Sequence, residues 1–237
     1  TEAEQYIREA LEGRRRVHGD EHPNTLSSIN SMGVLARKQG EFTAAEPYFR
    51  EALETRRRVL GNEHPRTLHS ISNMGSLLIE QGAHAEGEPY YREVLEVLRR
   101  VRGNDHPDTL NSIRNMGRLL VDQGNYAEGE QYFQEALGAQ RRTLGDEHPD
   151  TLISIDNLGQ LMYVQGLSAE AGSYFREALE IRRRVLGDEH PRTLASINNL
   201  GIVLVAARSF PTASSTSPDE LQITTRYLVH TLHATQY

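Results

Sequence analysis

The sequence predicts an all-α solenoid built from stacked pairs of antiparallel helices, and three observations predict it. His22, His64, His106, His148 and His190 are spaced by 42 residues, and so are Gly33, Gly75, Gly117, Gly159 and Gly201. Tyr6, Tyr48, Tyr90, Tyr132 and Tyr174 keep the same step. Between these markers, each unit holds two segments whose apolar residues recur at helical spacing. One such helix pair cannot bury its apolar faces alone, so neighbouring units must stack to complete the core.

The elements follow in order within the unit. In the first helix, Leu68, Ile71, Met74, Gly75 and Leu78 fall on one face, and Gly82 breaks the helix. In the second, Tyr48, Phe49, Ala52, Leu53, Val59 and Leu60 give the apolar stripe, and Gly61 supplies a C-terminal stop. The connection back to the next first helix reads GDEHPDTL from Gly145, with close copies from Gly19, Gly61, Gly103 and Gly187.

Composition narrows the function classes. The chain has no cysteine, which removes disulfides, thiolate metal sites and cysteine nucleophiles together. No run approaches the roughly 18 apolar residues of a membrane span, and no hydrophobic signal segment opens the sequence. A formal charge of -7 argues against a nucleic-acid partner. A cytoplasmic setting is the default expectation.

The residues Ile197-x2-Leu200-Gly201-x2-Leu204, a turn glycine such as Gly40, then Ala45-x3-Phe49 and Ala52, resemble the tetratricopeptide pattern. The longer unit, whose second helix runs on through Arg-Arg-Arg before the Glu-His-Pro turn, resembles the kinesin-light-chain type of tetratricopeptide repeat. The resemblance covers about residues 1–207. It implies a right-handed superhelix whose inner, concave groove is lined by the first helices and which acts by binding other proteins.

Both ends of the array are ragged. Residues 1–18 match only a second helix, with Ala3, Ile7, Ala10 and Leu11 in core positions. Residues 19–207 form the repeat array, the last unit lacking its regular second helix. Residues 208–217 read as a Ser/Thr/Pro loop, beginning where the repeat expects a glycine and has Arg208. Ser217-Pro-Asp-Glu220 then makes a capping box with proline at the first helical position, and Leu221, Thr225, Leu228, Val229 and Leu232 follow at helical spacing. Residues 218–237 are thus expected to form a divergent capping helix or tail.

The repeated histidine, flanked by carboxylates, invites a metal or catalytic reading. Zinc holds its ligands at about 2 Å, whereas equivalent residues of stacked helices lie about 8–10 Å apart. A general acid or base needs a partner and a substrate position in a cleft, and five copies on one edge argue for a role that every unit shares. The turn explains each letter instead: glycine ends one helix, the acids sit near the next helix's positive end, and proline presets the chain. A buried ring hydrogen-bonding the turn backbone is expected, with no metal, cofactor or catalytic residue.

The arginine runs Arg14–Arg16, Arg56–Arg58, Arg99–Arg100, Arg141–Arg142 and Arg182–Arg184 lie in the last turns of helices, where the dipole favours cations. They are expected to be solvated, partly salt-bridged helix ends.

The first helices carry the candidate site. Asn73 points about 150° from the buried direction by the helical step, yet asparagine recurs as Asn115, Asn157 and Asn199, with Ser31 in the first unit. The tetratricopeptide resemblance implies that these residues hydrogen-bond the backbone of a bound peptide. The alternative is an asparagine bridging to the neighbouring repeat. Around them the face varies: Ser27, Lys38, His69 and Glu80 early, Arg114, Arg118 and Asp122 in the middle, and Ile153, Val164, Ile202 and Ala206 late. The expected partner is a protein segment with an acidic residue opposite Arg114 and Arg118 and a hydrophobic residue over Ile153 and Val164.

The sequence therefore reads as a non-enzymatic protein-binding scaffold. The alternatives are a sensor or regulatory segment of a larger multidomain enzyme or signalling ATPase, and a repeat module that self-associates through its ragged ends.

Overall fold

The computed structural model describes residues 2–209, and every structural statement below concerns them. Ten helices occur among these residues, and no strand does. They are α1 (Glu2–His18), α2 (Pro23–Lys38), α3 (Phe42–Leu60), α4 (Pro65–Glu80), α5 (His84–Arg102), α6 (Pro107–Asp122), α7 (Tyr126–Leu144), α8 (Pro149–Val164), α9 (Ser168–Leu186) and α10 (Pro191–Ser209). Even-numbered helices are the first helices of the repeat and odd-numbered ones the second. The loop expected from residue 208 does not begin there, because α10 continues through Ser209. Gly40, Gly82, Gly124 and Gly166 adopt positive φ values of 76–83° just after the other first helices, and Arg208 at the equivalent place cannot do so cheaply. The remaining expected loop and the helix over 218–237 lie outside the described residues.

The chain divides into two compact units, residues 1–119 and residues 120 onward, with the boundary inside α6. In the first unit α1 packs on α2, α2 on α3, α3 on α4 and α4 on α5. One core cluster joins Leu11, Leu26, Ile29, Met32 and Ala52, and another centres on Phe49, Leu53, Leu68, Ile71, Met74 and Leu77. In the second unit α7 packs on α8, α8 on α9 and α9 on α10, around Phe133, Leu137, Ile155, Leu158, Phe175 and Val203. Of the expected stripes, Val59 and Ala10 lie exposed; the others named in α3 and α4 are buried or half-buried.

A glycine–aromatic contact sets how closely the two helices of a unit approach. A Cβ at Gly33 would sit 2.8 Å from the Phe49 ring, and one at Gly159 would sit 2.9 Å from the Phe175 ring. Only the absence of a side chain lets the ring lie against the first helix.

The histidines cap the helices that follow them. Nδ1 of His22, His64, His106, His148 and His190 accepts from the backbone N–H two residues on, at 3.1–3.2 Å. Their rings are half-buried rather than buried, because an N-cap side chain needs only to reach the N–H groups that a helix start leaves open. Three residues past each histidine stands a threonine with no exposed surface: Thr25, Thr67, Thr109, Thr151 and Thr193. Thr151 Oγ1 donates to the Gly145 carbonyl at 2.8 Å, tying a helix start to the preceding helix end.

The arginine runs are not uniformly solvated. In the runs of three, the first member turns inward: Nη1 of Arg14, Arg56 and Arg182 donates to Oγ of Ser28, Ser70 and Ser196 on the next first helix, at 2.5–2.6 Å. Arg56 and Arg182 are buried, because their aliphatic stems fill the seam while the heads find hydroxyls. At the same place Gln140 Oε1 accepts from Ser154 Oγ at 2.6 Å. The next two columns form ion pairs at fixed offsets. Arg15 meets Glu51 at 2.5 Å and Arg57 meets Glu93 at 2.6 Å, each 36 residues on, and Arg141 pairs with Glu177 at the same spacing. Arg58, Arg100 and Arg184 reach back 37 residues to Glu21, Glu63 and Glu147, at 2.5–2.8 Å.

Candidate functional site

The first helices of each unit place the expected contact residues unequally. In the first unit Asn73 Nδ2, on α4, donates to Asn30 Oδ1, on α2, at 2.9 Å. Asn30 is itself buried. Asn73 therefore bridges neighbouring repeats. Ser31 is exposed, and its Oγ donates back to the Ser27 carbonyl of its own helix at 2.9 Å. Asn115, the next in the column, is exposed on α6. The half-buried Arg114 and Arg118 flank it, with Arg114 Nη2 donating to Asn111 Oδ1 at 2.8 Å. His69 lies on α4, where partial burial of the ring first and the charge of Arg56 second hold it below the usual histidine range.

In the second unit Ile153, Asn157 and Asn199 are all half-buried. Beside Asn157 stands Asp156, which the sequence did not mark. Its carboxylate takes a two-pronged contact from Arg182, Nη2 to Oδ2 at 2.5 Å and Nη1 to Oδ1 at 3.1 Å. Burial pushes this carboxyl up, and the guanidinium pulls the other way. Asp156 shares its column with Asn30, Ser72, Arg114 and Asn198. An acidic residue in a column that otherwise holds neutral or basic ones, one helix away from an inward arginine, is the signal that could have found it.

A second group in the first unit was also missed. Tyr91 occupies the column of Phe49, Phe133 and Phe175, and its hydroxyl lies 2.9 Å from Ser76 Oγ on α4. Burial pushes the Tyr91 phenol up, and Glu80, Arg37 and Arg118 all act on it electrostatically. Arg37 and Glu80 pair with each other at 2.6 Å, from α2 to α4. The hint in the sequence is one phenylalanine replaced by tyrosine in the same repeat that places serine where Arg118 stands in the next.

No group of three or more His, Asp or Glu side chains that could hold a metal ion occurs among the described residues. No helix among them is long and apolar enough to cross a membrane. Within each unit the first helices carry hydrogen-bonding and half-buried apolar side chains, among them Asn115, Arg114 and Arg118 in the first and Ile153 and Asn157 in the second.

Comparison with known proteins agrees with this architecture. One model of the tetratricopeptide repeat matches residues 1–24 and 25–66, and another matches residues 66–127, 113–171 and 157–216. No curated protein matches the chain significantly. Among solved structures, BtubC (BKLC) from P. vanneervenii is similar at 22% identity and a TM-score of 0.72, over 96% of this chain and 91% of that one. A Podosopora anserina protein with nearly identical TPR-like repeats is similar at 23% identity and a TM-score of 0.69, over 91% of this chain and 97% of its own. A point variant of that protein gives a TM-score of 0.70. At these identities the likeness shows the fold.

Proposed function

The chain belongs to the tetratricopeptide repeat family, and we propose that it binds a peptide segment of a partner protein along its first helices. Repeats of this family serve in general as protein-interaction scaffolds. The observation that carries the finer reading is the exposure of Asn115. Its counterpart Asn73 is occupied by Asn30, whereas Asn115 is open to solvent with a guanidinium one residue before it and another three residues after it. An amide can both donate to and accept from an extended peptide backbone, and the two guanidinium groups favour a carboxylate close by. Within the second unit, Ile153 and Val164 are half-buried apolar residues suited to a hydrophobic side chain. Within the first unit the ligand chemistry is therefore a peptide with an acidic residue for Arg114 and Arg118.

Selection from a displayed random-peptide library, followed by affinity measurement on the enriched peptides, tests this. Arg118→Glu is expected to weaken binding at least about tenfold, ~1.4 kcal/mol. Arg57→Glu, away from the first helices, should change it little. Enriched peptides without acidic residues, or equal losses in the two variants, would overturn the reading.

A further inference from the structure

Two helix faces are open where their counterparts one period away are closed. On α10, Leu194, Ile197 and Leu204 are 52%, 37% and 46% exposed, while Leu152, Ile155 and Met162 at the same places on α8 are 3%, 0% and 6% exposed. A Cβ at Gly201 would meet nothing within 4 Å, whereas one at Gly159 would press on Phe175 of α9. On α1, Tyr6 is 65% exposed and Ala10 is exposed too. Their counterparts on α3 are the half-buried Tyr48 and the fully buried Ala52. What closes these faces elsewhere is the pairing of a first helix with its second, α9 on α8 and α2 on α3. Among the described residues, α10 is a first helix without a second and α1 is a second helix without a first.

The charges of the two faces match as well as their shapes. Glu9 occupies the column of Glu51, Glu93 and Glu177, which pair with Arg15, Arg57 and Arg141. The last arginine of that column is Arg183. Arg16 occupies the column of Arg58, Arg100 and Arg184, which pair with Glu21, Glu63 and Glu147. The last glutamate of that column is Glu189. Glu9, Arg16 and Glu189 hold no ion pair among the described residues. Arg183 holds Asp188 at 2.9 Å, and Arg15 shows that such a guanidinium can serve two carboxylates together, Asp20 at 3.1 Å and Glu51 at 2.5 Å.

We propose that the chain associates head to tail, α10 of one copy pairing with α1 of a second copy as α8 pairs with α9. Ile7 of the second copy, in the column of Phe49 and Phe175, then lies over Gly201, in the column of Gly33 and Gly159. Arg183 meets Glu9 of the second copy, and Glu189 meets its Arg16. Each copy uses a different surface at the two sides of this contact, so association builds an open series and not a closed symmetric pair. Two α10 faces set against each other would leave Glu9 and Arg16 unmatched. The continued 42-residue register is what gives both charges their partners.

Two variants of the full 237-residue chain, each blocked at one face, test this in the analytical ultracentrifuge. Leu204→Asp puts a carboxylate into the α10 face, and Ala10→Arg puts a long cation into the α1 face. The unaltered chain is expected to form species larger than a dimer as its concentration rises. Each variant alone should stay monomeric. Their equimolar mixture should stop at dimers, because one retains an intact α1 and the other an intact α10. Arg183→Glu should weaken association of the otherwise unaltered chain about tenfold, and Glu9→Arg added to it should recover most of that loss. Circular dichroism reports that each variant keeps its helices. An unaltered chain that is monomeric at every concentration, as when its own residues cover α10, overturns the proposal. A monomeric mixture, a closed dimer of Ala10→Arg alone, or charge reversal without rescue overturns it too.

Discussion

Arg182 and Asp156 form a buried two-pronged ion pair at 2.5 and 3.1 Å, and the same guanidinium also donates to Ser196. The pair links α9, α8 and α10 within one unit. Removing one partner of such a pair strands the other charge in the interior. Arg182→Met alone is expected to cost about 3 kcal/mol, and Asp156→Leu added to it should restore most of that loss. Urea unfolding of the two variants checks this. A double variant as unstable as the single one would show that the pair itself stabilises the unit.

The glycine–aromatic seam predicts an asymmetry between two glycines of the same column. Gly159→Ala forces a methyl group against the rigid Phe175 ring at 2.9 Å, an overpacking expected to cost about 1–3 kcal/mol. Gly201→Ala meets open space and should be neutral or stabilising by up to about 1 kcal/mol, the helix-propensity difference. Thermal unfolding of both variants distinguishes them.

The repeated histidine caps the helix after it through Nδ1. His148→Ala removes the acceptor for the Asp150 N–H and is expected to cost about 1 kcal/mol, while His148→Asn, another good cap, should lose only a few tenths. Amide exchange at Asp150 and Thr151 should rise in the alanine variant and stay near wild type in the asparagine one.

His69 gives a pH dependence of defined sign. Partial burial and Arg56 hold its folded pKa below the ordinary 6.5, so the unfolded chain binds its proton first on acidification. His69's contribution to stability is complete above 6.5 and is lost as the pH falls through the window beneath it. His69→Gln should flatten the stability profile just below about pH 6.5 in denaturant titrations. An unchanged slope would place the pH dependence elsewhere.

The architecture was legible because the periodicity sits in residues that the backbone requires: glycine at positive φ, proline after the cap, leucine in the seam. The family resemblance then pointed to the first-helix asparagines. It did not show that Asn73 donates to Asn30, because that bond lies between side chains 43 residues apart and depends on how closely two helices lie. The arginine runs misled for a related reason. Three consecutive arginines look alike on the page, but one helical step of about 100° sends the first into the seam and the next two outward. The tyrosine at 91 and the aspartate at 156 were visible as breaks in a column. Their meaning required knowing which serine or arginine stood opposite.

The ion pairs at offsets of 36 and 37 residues have a consequence for how such a chain can change over generations. Each holds a fixed offset in the 42-residue period, so an array cut and rejoined at equivalent points of two repeats regains these pairings at the junction. Unequal recombination that adds or drops whole repeats therefore preserves the chemistry of every seam. Loss of a partial repeat shifts carboxylates out of phase with guanidinium groups at the scar. The ladder acts as a proofreading frame, permissive to copy number and strict about fractions.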